Sequence, residues 1–248
     1  MIARSANPGL NKNTFSQVRD YAQRDNLMTL QGTVNKTGIM LFLALLSAMW
    51  VWRQFFTYES PQISLYLWGG AIGGLIAAMV AIFKPATAPI VAPVYALLEG
   101  LFLGGISSIM EARFPGIVIQ AVGLTFGTLF ALLFAYKSGL IKATENFKLG
   151  VTAATGGIFL VYMVSFVLGF FGMNVPFLHG SGIIGIGISG FIVVIAALNL
   201  VLDFDFIEHG VEQGAPKFME WRAALGLMIT LVWLYIEILH LLSKLRSR

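Results

Sequence analysis

The run NLVLDFDFIEH, Asn199 to His209, sets three carboxylates, Asp203, Asp205 and Glu208, at the end of a long apolar stretch in a chain that is only 11% charged. A further acid, Glu237, stands inside the last apolar stretch, and Glu99 inside VYALLEGLFLGG. A carboxylate is costly where water is scarce, so acids within such runs mark candidate ion or proton sites. Lys and Arg fall only at the ends of the runs and between them. A passage lined by acids without buried bases attracts cations and repels anions.

Each acid also has a plainer reading. Glu99 fits a protonated or hydrogen-bonded structural group as well as a pore-lining or gating acid. Asp205 and Glu208 fit interfacial charges where a helix leaves the membrane. Asp203 and Glu237 have apolar neighbours on both sides, which favours a functional role.

Helical geometry separates the two aspartates. At about 100° per residue Asp203 and Asp205 point roughly 200° apart, so they cannot chelate one ion together. Asp203 shares a face with Asn199, Leu200 and Ile207 and is assigned to the bundle interior. Asp205 lies with His209 and Glu212 and is assigned to the exit, with His209 as its helix-end partner. Two acids in one low-dielectric site cannot both ionise cheaply, so Asp203 and Glu237, if they meet, are expected to share a proton. With the proton the pair would latch two helices; without it the pair would part or admit a cation. Ca²⁺ suits such a site because it takes several oxygen ligands in flexible geometry. These residues alone do not choose among Ca²⁺, H⁺ and Na⁺.

The elements that must position these acids are membrane helices. Hydrophobic residues make up 57% of 248 and Phe alone counts 20, a balance expected of an integral membrane protein. Crossing about 30 Å of hydrocarbon takes roughly 20 apolar residues. Seven runs qualify, at 38–56, 63–83, 90–110, 117–136, 149–171, 181–207 and 219–242. The expected architecture is an all-α bundle of seven transmembrane helices over residues 38–248, with the last helix central or packed against the sixth. A polar cytosolic arm, residues 1–37, precedes it. Pro61, Pro85, Pro89, Pro115, Pro176 and Pro216 punctuate the breaks, and Pro93 falls in the first turn of the third helix.

Eleven Lys and Arg fall on the N-terminal side of the runs and five on the other, which puts the N-terminus in the cytoplasm. The basic tail Lys244, Arg246 and Arg248 opposes this mildly and raises the alternative of a re-entrant seventh segment. No cleavable signal peptide is expected, since the first run begins near Gly38 and is too long for a signal core. The net charge of +4 fits positive-inside loops against anionic lipid and gives no support to nucleic-acid binding. The chain has no cysteine, which removes thiol chemistry, disulfides and Cys-based metal sites. Small residues at G-x-x-x-G spacing (Gly69/Gly73, Gly70/Gly74, Gly100/Gly104, Gly123/Gly127) and the row Ser181, Gly185, Ser189 favour close helix packing within one chain over a dimer face. A monomer or weak oligomer is expected.

The segment DFDFIEHG followed by a last helix ending LVWLYIEILHLL resembles the Bax-inhibitor family of seven-helix membrane proteins. NPGL, MTLQGTVNKTG and YALLEGLFLGGIS resemble its bacterial branch. The resemblance covers essentially the whole chain. It implies a pH-sensitive calcium leak in the bacterial cytoplasmic (inner) membrane, gated by an acid pair at the cytoplasmic half of the pore. The positions that match are Asp203 in the sixth helix and Glu237 in the seventh, with Ca²⁺ bound only transiently and no cofactor. Two departures stand out: the second acid is more usually aspartate, and the loop HGVEQGAPKFMEW is longer than expected; counted at about 1.5 Å per residue from that loop, Asp203 and Glu237 share a depth only if the sixth helix extends well past His209 or the helices tilt. The alternative is a non-transporting regulator that binds a membrane protease or another membrane complex, as some bacterial relatives are thought to do. No enzyme is expected: no H-E-x-x-H or G-x-S-x-G stands on a helix, and neither Asp203 nor Asp205 has the G-x-G-D setting of intramembrane aspartyl proteases.

Overall fold

The computed structural model describes residues 26–58, 62–172, 180 and 182–247. Among them seven helices are long and apolar enough to cross a membrane. They are α1 (Leu30–Tyr58), α2 (Ile63–Phe83), α3 (Ala88–Arg113), α4 (Ile117–Lys137), α5 (Glu145–Phe170), α6 (Ile183–Glu212) and α7 (Met219–Arg246). In hydrocarbon every backbone N–H and C=O must be satisfied within the chain, and long helices do this locally.

Several ends differ from the expected runs because helices continue past the hydrocarbon into polar residues. α1 starts at Leu30 rather than Gly38, so residues 30–37 of the expected arm belong to the helix. Thr33 and Thr37 fit there by bonding their hydroxyls back to the carbonyls of Thr29 and Thr33, each at 3.0 Å. α6 continues to Glu212 and α7 to Arg246. α3 follows a 3₁₀ turn at Pro85–Thr87 and begins at Ala88, which places Pro93 inside the helix and not in its first turn. Residues 1–25 and Ser181 lie outside the described residues.

Contacts between helix ends establish an up-and-down bundle. Arg222 of α7 donates to the Ala81 carbonyl at the end of α2, 2.8 Å away. At its other end α7 sends Arg246 to the Pro115 carbonyl between α3 and α4, at 2.7 Å, and Lys244 to Ser189 near the start of α6, also at 2.7 Å. The α3–α4 turn is built by Gly116 at φ 81°, and Glu111 accepts the Gly116 and Val118 amides at 2.5 and 3.1 Å.

α7 is the central helix. It packs on α6, α1, α4, α3 and α2, and Leu234 and Leu239 along it are fully buried. α5 is peripheral and, among the described residues, packs its backbone on α6 alone.

Two of the small-residue pairs act within the chain. A Cβ on Gly70 would stand 2.6 Å from the Leu98 carbonyl of α3, and one on Gly104 2.7 Å from the Ala48 carbonyl of α1. Gly69, Gly123 and Gly127 instead face open space.

The chain before α1 straps the α6–α7 connection. Leu27 pairs with Pro216, the Met28 amide donates to the Ala215 carbonyl at 2.7 Å, and the Lys217 amide donates to the Asn26 carbonyl at 2.8 Å. Met28 itself is buried in the core.

Candidate functional site

The sixth helix presents its acids to three different neighbours. Asp203 faces α7: its Oδ1 would lie 3.9 Å from a Cβ placed on Gly226, and Thr230 stands beside it. Its Oδ2 is buried and accepts no hydrogen bond from the described residues. Leu200 and Ile207, on the same face, are buried in the core that α6 forms with α7. Asp205 turns to α5 and pairs with Lys148 at 2.8 Å. His209 Nδ1 is 2.9 Å from the Asp205 carbonyl and 3.5 Å from its carboxylate, so His209 is the helix-end partner expected of it. Glu208 accepts a hydrogen bond from the Tyr136 hydroxyl at the end of α4.

Glu237 belongs to a separate polar group. It is 4% exposed, and its Oε1 accepts from the Tyr162 hydroxyl of α5 at 2.8 Å and from Trp233 Nε1 at 3.2 Å. Lys244, seven residues further along α7, also acts on Glu237 electrostatically while donating to Ser189 Oγ at 2.7 Å and to the Gly185 carbonyl at 3.3 Å.

The structure does not bring Asp203 and Glu237 together as a contacting pair. Asp203 lies level with Gly226 to Thr230, and eleven residues from Gly226 to Glu237 amount to about 16 Å of helix. The connection after Glu212 is too short to offset this, so Asp203 lies toward the α6–α7 turn and Glu237 toward the far end. A Ca²⁺ ion held by both carboxylates at once has no geometry here, and the described residues contain no group of three or more acids or histidines placed to hold a metal.

The two acids instead occupy one seam. Gly226, Thr230 and Glu237 share a face of α7, since steps of four and seven residues return close to the same angle. Asn199, one turn before Asp203 on α6, donates to Thr155 of α5 at 2.8 Å. From the α6–α7 turn to the far end the seam therefore carries Asp203, Thr230, Asn199 with Thr155, Tyr162 with Glu237, and Lys244 with Ser189. α5, α6 and α7 wall it. Glu99 is outside it: its carboxylate presses on Gly74 of α2, beside Tyr95, on another side of the bundle.

Two buried polar contacts, one in the seam and one outside it, were not singled out by sequence reasoning. Lys244 reads as part of a basic tail, but its side chain turns back onto α6. Glu220 stands in the first turn of α7. It is fully buried, pairs with Lys36 of α1, and accepts from the Thr29 amide and hydroxyl, each at 2.9 Å. Lys36 also lies 5.6 Å from the Trp221 ring centre. The signal available in the sequence was a lysine and a glutamate, each in the first two turns of a helix.

The chain matches the family model described as Bax inhibitor 1 like over residues 7–247. The chain belongs to the Bax inhibitor 1 like family. Neither a search of curated proteins nor one of solved structures finds a match.

Proposed function

We propose that the protein lets cations, calcium foremost, leak down their gradient along the α5–α6–α7 seam, with Asp203 as the protonation-sensitive gate. One observation carries the reading: Asp203 Oδ2 is buried at the α6–α7 interface with no hydrogen-bond donor among the described residues. An orphan carboxylate oxygen is costly in a folded protein, and a proton or a passing cation relieves that cost. Protonated, Asp203 is neutral and leaves α6 and α7 closed. Ionised, it draws a cation, whose remaining ligands are oxygens of the seam and water, as Ca²⁺ requires. Glu237 is a second station, held in reserve by Tyr162 and Trp233. The sign follows: leak rises with pH on the Asp203 side. The chain then works without cofactor or catalytic step, in a bacterial cytoplasmic membrane with its N-terminus inside.

The test is reconstitution of the purified chain in liposomes loaded with a calcium dye. Flux should rise with pH, and Asp203→Asn should lose the pH dependence. Flux indifferent to both overturns the reading.

The strap formed by residues 26–29 favours a second reading, in which the N-terminal arm binds a membrane protease or other membrane complex and conveys that binding to the α6–α7 turn. Deleting residues 1–25 separates the two: the regulator loses its effect in cells while calcium flux in liposomes persists.

A further inference from the structure

A cavity of about 440 Å³ lies on the opposite side of α7 from the acid seam. Its side walls are α1 and α4, whose backbones do not approach each other among the described residues, and its floor is α3 and α7. Phe42, Leu45 and Met49 on the α1 wall are exposed toward lipid, as is Phe126 on α4. The lining makes no polar demand: Ser107 and Tyr235 on the floor bond to each other at 2.7 Å, and Thr125 on the α4 wall bonds to its own helix at Ala121. Hydrocarbon is the chemistry that fits.

Size decides which hydrocarbon. The α1 wall runs from Leu41 to Trp52, about 16 Å of helix, which is close to the roughly 15 Å depth of one leaflet's hydrocarbon. One extended alkyl chain spans that length, and the wall lies open to lipid along Phe42, Leu45 and Met49.

Its outer end carries the matching polar group. Trp52 lines the cavity there, as aromatic residues do at a membrane interface. Arg53, exposed, lies one turn beyond Met49 on the same face of α1, and a guanidinium binds phosphate oxygens in bidentate fashion. We infer that this crevice is a phospholipid site: one acyl chain fills the gap between α1 and α4, and the lipid phosphate sits on Arg53.

The test uses the full chain in liposomes containing a phospholipid with a diazirine in mid acyl chain. Photolabel should concentrate on Phe42, Leu45 and Val122, about tenfold above Phe159 and Leu160 on the lipid face of α5, a difference of about 1.4 kcal/mol. Leu45→Trp, at an exposed position, should abolish the excess; Val122→Phe repeats the test from the other wall. Arg53→Gln should lower retention of the phospholipid through detergent exchange about tenfold and leave an uncharged diacylglycerol probe unchanged. Even labelling of both faces, indifference to both filling variants, or a crevice label that joins two copies of the chain overturns the site. None of these readouts depends on calcium flux.

Discussion

The Tyr162 hydroxyl donates to Glu237 Oε1 across 2.8 Å and so joins α5 to α7, whose backbones do not meet among the described residues. Tyr162→Phe keeps the ring and removes the donor. It should lower stability by about 1–2 kcal/mol, read as a drop in the unfolding midpoint in detergent. Because it loosens the wall of the seam around Glu237, calcium leak in liposomes should increase. A variant that melts lower but leaks no faster would place Glu237 outside the conducting path.

Lys36 and Glu220 make the opposite kind of contact, an ion pair between a fully buried carboxylate and a half-buried lysine that holds α1, the strap and α7 together. Removing one partner of a buried pair leaves the other charge uncompensated, whereas replacing both with apolar groups often costs little. Lys36→Ala should therefore cost about 3 kcal/mol or more, and the double change Lys36→Met with Glu220→Leu should recover most of it. Thermal unfolding of the two variants side by side decides the matter.

The seven helices were legible because each needs an apolar run of membrane length, and the direction of each aspartate was legible from the helical angle. Asp203 does point to α7 and Asp205 to α5. The relation of Asp203 to Glu237 was not legible in that way. It depends on depth, which is set by where α6 ends, how the six residues before Met219 turn, and where α7 begins. The long loop pointed to an offset, which comes to about 10 Å along α7 counted from Thr230 and about 16 Å counted from Gly226. Lys36 and Glu220 are 184 residues apart, and no local pattern links them. Lys244 was hidden for another reason: a long side chain can leave a helix end in either direction, and here it runs back to Ser189.

Glycines of one motif should differ sharply when substituted. Gly100 sits against the Ala44 backbone of α1, where even one methyl group would collide, while Gly123 faces open space. Gly100→Val should cost about 3 kcal/mol or prevent folding, and Gly123→Val should leave the midpoint nearly unchanged. Expression and thermal melting of the pair test whether α1–α3 contact, rather than glycine content, sets the stability.

Asp203 should reveal itself through a conflict between stability and activity. Its Oδ2 is buried without a donor among the described residues, and Leu200 and Ile207 on its face are core residues. An apolar residue there relieves a penalty of about 1–3 kcal/mol for an unsatisfied buried group. Asp203→Leu should thus melt at the same temperature as the parent or higher, and should lose calcium leak at every pH. Residues kept at the expense of stability are those that function requires. Asp205→Leu, which leaves Lys148 without its 2.8 Å partner, should instead lower stability while retaining a pH-dependent leak. If Asp203→Leu were destabilised and Asp205→Leu were the one to silence flux, the gate would lie on the α5 side of α6 and not in the α6–α7 interface.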